Sequence, residues 1–325
     1  MKEFLNKEIS EKQKDKYYLK EIKVFAPATV ANVGCAFDIL GFALQDIGDE
    51  MSFRKTKKPG ITLINKGLGN LPDEPEKNVA GVVAIEMMKD LKPTEGIEIE
   101  IHKKINPGSG MGSSAASASG AAFGIAKLFG LQMNMHQLVN YAMQGEKLAS
   151  GAEHADNVAP AITGSFALIR GYNPLDIIEI KSPKDLFCTI IHPQIEIKTI
   201  EARKILPNEI PLKTAVIQWG NVAGLISGLY QSDYGLIGRS MNDIIIEPVR
   251  ASLIPGFHDL KRAALDAGAL GCSIAGSGPA VFAFSHGERT AHNVYEAFNK
   301  TYKQKNIEYQ IYISKICPDG TRILI

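Results

Sequence analysis

The stretch Pro107-Gly108-Ser109-Gly110-Met111-Gly112-Ser113-Ser114-Ala115-Ala116-Ser117 decides how the rest of the chain is read. It follows a run over 97–102 whose apolar residues alternate as in a strand, and it opens a segment over 113–129, rich in Ala, Gly and Ser, that reads as a helix. Gly108, Gly110 and Gly112 let the backbone turn sharply and approach an anion, while first-turn N–H groups and the helix dipole favour phosphate. Ser113 or Ser114 can add a hydroxyl toward phosphate or a metal ion. A side chain at Gly112 is expected to fill space that a phosphate needs. A loop of this kind suits a triphosphate.

Two commoner loops do not fit. The Walker pattern needs Lys and then Ser or Thr after its last glycine, and here Gly112 is followed by Ser113-Ser114. The spacing also misses Gly-x-Gly-x-x-Gly, and no acidic residue stands at the expected distance downstream.

Outward from the loop, strands are expected over 22–26, 61–64, 97–102, 165–170, 186–192, 280–285 and 309–316. Helices are expected over 78–91, 113–129, 136–149, 199–206, 212–231, 257–267 and 290–302. Mixed in this order, they predict an α+β protein in two domains, with a boundary near the turn cluster 171–174. The length of 325 residues and 45% hydrophobic content allow a large core. The 36 basic residues nearly balance 35 acidic ones, so no global field draws the chain to nucleic acid or an anionic membrane. Residues 1–20 are polar, without the apolar run of a signal peptide or anchor, and read as a lead-in with at most a helical turn. Cys35, Cys188, Cys272 and Cys317 lie far apart, which predicts reduced, buried thiols in a cytoplasmic protein and no zinc knuckle.

Three stretches in order resemble the motifs of the GHMP kinases. The glycine-rich loop resembles the second motif, Pro-x-x-x-Gly-Leu-Gly-Ser-Ser-Ala, with Met111 in place of the usual leucine. Pro27-Ala28-Thr29-Val30-Ala31-Asn32-Val33-Gly34-Cys35-Ala36-Phe37-Asp38 resembles the N-terminal motif in its homoserine kinase form, and Ala275-Gly276-Ser277-Gly278-Pro279-Ala280 resembles the C-terminal glycine motif. The resemblance implies a two-domain GHMP kinase fold: a ribosomal-S5-domain-2-like ATP-binding domain over 21–172 and a ferredoxin-like domain over 173–325, behind the polar extension 1–20. It implies ATP and Mg²⁺, L-homoserine as the small-molecule partner, and a homodimer.

Residue by residue, the resemblance puts Pro107 to Ser117, with Gly276, Ser277 and Gly278, at the nucleotide. It pairs Glu146 with a loop hydroxyl, Ser114 before Ser113, around the metal. A zwitterionic amino acid needs one anionic and one cationic pocket: Asp38 with Asn32 can accept from an ammonium, and Arg203 and Arg250 can hold a carboxylate in bidentate geometry. Thr199 stands in the same stretch as Arg203, and His154 is put beside the acceptor. Asp156 aligns with a catalytic aspartate of mevalonate-type relatives. Those relatives carry a lysine in the N-terminal motif, and 27–34 contains none, so Asp156 is either a base or a positioning group, with Asn157 orienting the hydroxyl. Another GHMP kinase acting on a different small alcohol, and a sensor that binds ATP and a metabolite without turnover, are the competing readings.

Overall fold

The computed structural model describes residues 19–151 and 154–324. Of the polar lead-in, only residues 19 and 20 lie within the described residues. The strands are β1 (Glu21–Val33), β2 (Ala36–Thr56), β3 (Ile61–Gly67), β4 (Gly96–Lys103), β5 (Phe166–Tyr172), β6 (Leu175–Ile180), β7 (Leu186–Pro193), β8 (Gly271–Ile274), β9 (Val281–His286), β10 (Tyr309–Lys315) and β11 (Arg322–Ile323). The α-helices are α1 (Val79–Leu91), α2 (Ser113–Leu128), α3 (Met135–Ser150), α4 (Val158–Thr163), α5 (Thr199–Lys204), α6 (Leu212–Gln231), α7 (Tyr234–Ser240), α8 (Glu247–Arg250), α9 (Phe257–Asp266) and α10 (Glu288–Lys305).

The first sheet runs β11-β1-β2-β4-β3, with β5 added to β2 and β6 to β5. Its pairings are antiparallel except for the parallel pair β3 and β4. The strand β2 holds it together: one end pairs with β5 at Leu40 to Phe42, the other with β4 at Glu50 to Thr56, and β1 runs along both. Local sequence did not predict β2, because Asp38, Gly41, Asp46, Gly48 and Asp49 interrupt its β-rich residues. Pairing on both sides overrides that weak propensity. The β5–β6 hairpin turns at Asn173-Pro174, so the expected boundary between 172 and 173 falls inside a hairpin of the first sheet.

The second sheet has the order β10-β7-β9-β8, all antiparallel. Counting its strands along the chain gives 4-1-3-2, with helices in the first and third connections, which is the ferredoxin-like topology. The two sheets share a core in which the rings of Phe42 and Phe166 from the first meet Phe282 and Phe284 from the second, at centroid separations of 5.1 to 6.0 Å. The four cysteines are free and buried. No helix among the described residues is long and apolar enough to cross a membrane.

The composition of α2 follows from where it lies. A Cβ on Gly120 would sit 2.4 Å from Met51 Sδ, and one on Gly124 would sit 2.3 Å from the Phe53 ring. The helix therefore approaches β2 more closely than any side chain allows, and its first turn is fixed over the centre of the sheet. Further along, an Asn134 and Gln137 capping box starts α3, and the Asn78 side chain accepts from Ala80 N at 3.0 Å to start α1.

Candidate active site

A cleft of about 600 Å³ opens where the β1–β2 hairpin, the glycine-rich loop, the start of α4 and the α5 segment meet. Its size is that of a small-ligand site. One side is the loop: Pro107, Gly108, Ser109, Gly110, Gly112, Ser113, Ser114 and Ser117 all line it. Met111, Ala115 and Ala116 do not. They are 3%, 0% and 0% exposed and belong to the hydrophobic core, so their place in the loop is one of packing. Gly112 caps α2 at φ 61°, ψ 35°, and leaves the first-turn amides uncovered by any side chain.

The loop is anchored from both domains. Thr29 N donates to Met111 O at 3.1 Å, Ala280 N to Ser109 O at 3.2 Å, and Gly276 N to Ala31 O at 3.0 Å. The C-terminal glycine turn thus clasps the loop and β1 together. Gly276 and Ser277 line the cleft. Gly278 does not, and it packs beside Ile254 and Ile197.

Beneath the loop lies an ion pair that sequence reasoning missed. Lys103 Nζ donates to Asp49 Oδ2, to the carbonyl of Ser113 and, at 2.9 Å, to Ser117 Oγ. Asp49 Oδ1 also accepts from the backbone N–H groups of Lys104 and Ile105, at 2.7 and 3.1 Å. Both side chains are almost fully buried, and burial pulls the Lys103 ammonium below its ordinary value against the opposing pull of Asp49. A signal was present: the buried alternation Ile97, Ile99, Ile101 continues to Lys103, and Met51 and Phe53 continue back to Asp49.

Opposite Lys103, Glu146 of α3 and Ser114 share a hydrogen bond. Burial pushes the Glu146 carboxyl up to about 7, opposed by Ser114 and by the Lys103 charge. Asp156, 4% exposed, is also pushed up to about 7, first by burial and then by the carboxylates of Asp38 and Glu146. Asn157 beside it accepts from Thr29 Oγ1 at 2.8 Å, which fixes the amide against β1. Burial holds the half-buried His154 below its usual value.

The far wall carries opposite charges side by side. Arg203 donates from Nη1 and Nη2 to the two carboxylate oxygens of Asp38, each at 2.8 Å. Asp38 and Asn32 both sit at positive φ, 61° and 58°, and Asn32 Oδ1 accepts from Asp38 N at 2.8 Å. Asn32 Nδ2 donates to Gly276 O at 2.8 Å, and Thr199 and Ser277 hydroxyls meet at 3.3 Å. Arg250 stands behind this wall. It is 2% exposed, does not line the cleft, and donates to the carbonyls of Ala202 at 3.2 Å and Gly276 at 3.1 Å. Burial, and then the charge of Arg203, brings its guanidinium down to about 10.

Arg250 is held by a residue with no motif of its own. Asp243 accepts from the N–H groups of Ile245, Ile246 and Glu247 at 2.9 to 3.0 Å, and so starts the short α8 that ends in Arg250. Gln218 Nε2 bridges Asp243 Oδ1 at 2.9 Å and Cys35 O at 2.8 Å, tying this helix to the tip of the β1–β2 hairpin.

The chain matches the GHMP kinases N terminal domain over residues 78–165 and the GHMP kinases C terminal domain over 225–304. It is 48% identical over 320 residues to the homoserine kinase of Chlorobium phaeobacteroides, covering 94% of this chain and all of that one. The homoserine kinase of Chlorobaculum tepidum is likewise 48% identical over 320 residues, with 94% and 99% covered. Among solved structures, the homoserine kinase of Cytophaga hutchinsonii superposes with a TM-score of 0.90 at 48% identity, over 94% of this chain and 98% of that one. With a phosphate-type loop, paired opposite charges in one cleft, and this identity over nearly its whole length, the chain belongs to the homoserine kinases of the GHMP kinase superfamily.

Proposed function

We propose that this chain transfers the γ-phosphoryl group of ATP to the side-chain hydroxyl of L-homoserine, giving ADP and O-phospho-L-homoserine on the way to threonine. The observation that carries the reading is the Asp38 and Arg203 pair in the same cleft as the glycine-rich loop. A dipolar amino acid can set its ammonium against Asp38 and its carboxylate against Arg203, which a sugar or mevalonate cannot do. Asn32 fixes the Asp38 backbone, and Thr199 and His154 border the same space. Arg250 supports the pocket from behind, adding positive potential to the carboxylate side.

The donor set fits Mg²⁺. The Glu146 carboxylate and the Ser114 hydroxyl adjoin beside the loop, and no cluster of three His, Cys, Asp or Glu exists among the described residues. Magnesium is commonly held by one or two protein oxygens with phosphates and waters completing its shell. Glu146 and Ser114 would hold it, and it would offset the charge of the phosphates. The amides of Gly112, Ser113 and Ser114 and the α2 dipole receive the phosphate oxygens, those of Ser109 and Met111 being spent on Asn106 O and Ser109 Oγ, and the buried Lys103 keeps the loop's first helical turn in register.

In the transfer, the homoserine hydroxyl oxygen bonds to the γ-phosphorus, the bond from that phosphorus to its bridging oxygen breaks, and ADP leaves. Asn157 orients the hydroxyl, Asp156 positions it, and the hydroxyl proton passes to a γ-phosphate oxygen. A loose transition state asks little of a base. A second reading, with Asp156 taking the proton, is favoured by its carboxyl being raised to about 7, a value suited to a general base near neutral pH.

ADP release with homoserine, mevalonate or galactose, with and without Mg²⁺, tests the activity. Release only with homoserine and Mg²⁺ supports it, and nucleotide binding without turnover would leave a sensor. We further propose a cytoplasmic homodimer. On α6, Leu212, Val216 and Trp219 are 71%, 54% and 60% exposed, and Lys213 is the helix's one charged residue, so two copies can meet there with one like-charged pair to keep apart. Sedimentation equilibrium checks the mass.

A further inference from the structure

Phe37 belongs to none of the three hydrophobic clusters among the described residues, although its neighbours Cys35 and Ala36 are both buried in one. It is half-buried at the tip of the β1–β2 hairpin, directly before Asp38. The guanidinium carbon of Arg203 lies 5.3 Å from the centroid of its ring, and that of Arg250 lies 5.0 Å away. Both distances are within the range of cation–π attraction.

This ring closes a circuit around the candidate amino-acid pocket. Arg203 binds Asp38, Asp38 N is held by Asn32, and Asn32 and Arg250 both donate to Gly276 O. Two guanidiniums this near each other repel. Asp38 neutralises the first through its bidentate bonds, while the bonds of the second go to carbonyl oxygens. An aromatic face offers each cation negative potential without consuming a hydrogen-bond donor.

We infer that Phe37 is a positioning residue for the amino-acid carboxylate, holding Arg203, with Arg250 behind it, in the orientation that recognises it. The inference rests on homoserine being the substrate. A leucine keeps the bulk and loses the π face, whereas tyrosine keeps the face.

The test is steady-state kinetics of Phe37→Leu and Phe37→Tyr, with homoserine and with 3-aminopropan-1-ol, which lacks the carboxylate. For Phe37→Leu the homoserine KM should rise roughly five- to thirtyfold, the loss expected from two cation–π contacts. Its kcat and its KM for ATP should stay within about twofold, its KM for the amino alcohol should not move, and Phe37→Tyr should restore the parent homoserine KM. An unchanged homoserine KM in Phe37→Leu, an equal loss on the amino alcohol, or a tyrosine variant as impaired as the leucine one would each overturn the assignment. Phe37→Met, similar in volume, takes the place of leucine if the leucine variant does not fold. Failure of the parent protein to phosphorylate homoserine at all would instead overturn the proposed activity.

Discussion

Replacing Gly112 by alanine tests whether the loop is braced against β1 as the structure has it. The residue sits at φ 61°, in the left-handed region, where a side chain costs roughly 1–2 kcal/mol. The added Cβ would fall 1.9 Å from Thr29 Oγ1, 3.2 Å from Thr29 Cβ and 3.0 Å from Asn157 Oδ1. Thr29 is fully buried, and its hydroxyl is committed to Asn157, so it has nowhere to turn. Overpacking of this kind costs about 1–3 kcal/mol, and with the backbone cost Gly112→Ala should lose about 2–5 kcal/mol. Turnover should fall with it, because the clash pushes on the bond that fixes Asn157. Removing Oγ1 by Thr29→Ala relieves the worst overlap, leaving the Asn157 and Thr29 Cβ contacts. The double variant should therefore be more stable than the sum of the two single losses by about 1–3 kcal/mol. Urea unfolding of the four proteins, compared at constant m-value, measures the coupling. Additive losses, or a Gly112→Ala protein as stable as the parent, would refute the packing argument.

Asp156→Asn should weaken homoserine binding and slow single-turnover transfer together; a fall in rate beyond about a hundredfold at unchanged affinity would make Asp156 the base. The two carboxyls raised to about 7, Glu146 and Asp156, favour the folded state when protonated, so their contribution to stability is present at low pH and is lost as pH rises from about 4 through about 7. Asp156→Asn, which cannot ionise, should lose less Tm than the parent between pH 5 and 8 without ligands, and an equal or larger loss counts against the burial argument. Arg203→Lys keeps the charge but loses the planar fork, and should weaken homoserine by about 1–3 kcal/mol while leaving 3-aminopropan-1-ol nearly unaffected. Equal losses on both compounds would assign Arg203 another role.

What the sequence determined by itself was the chemistry that sits in contiguous residues. The glycine-rich loop, its serines and the helix it opens are local: turn, amides and dipole come from neighbours in the chain, so 107–117 could be read as an anion site directly. The order of strands and helices gave the α+β class; α6 and α9 were found close to their observed bounds because they bury residues at helical spacing, and β7 because it is a short β-rich run, buried at every position. Periodicity reports that a residue faces inward, not what it meets there. The tertiary structure decided that Lys103 is paired with Asp49 beneath the loop, that Asp38 faces Arg203 across 165 positions of sequence, and that Arg250 lies behind the cleft wall and not in it. It also turned the side of Gly112 toward Thr29, where the sequence alone pictured it against the phosphates. The long β2 escaped local reading because its propensity is supplied by partners on both edges. Each of these depends on which strands pair and how two sheets share one core, and those long-range choices are set by the burial of the whole chain, not by any window of it.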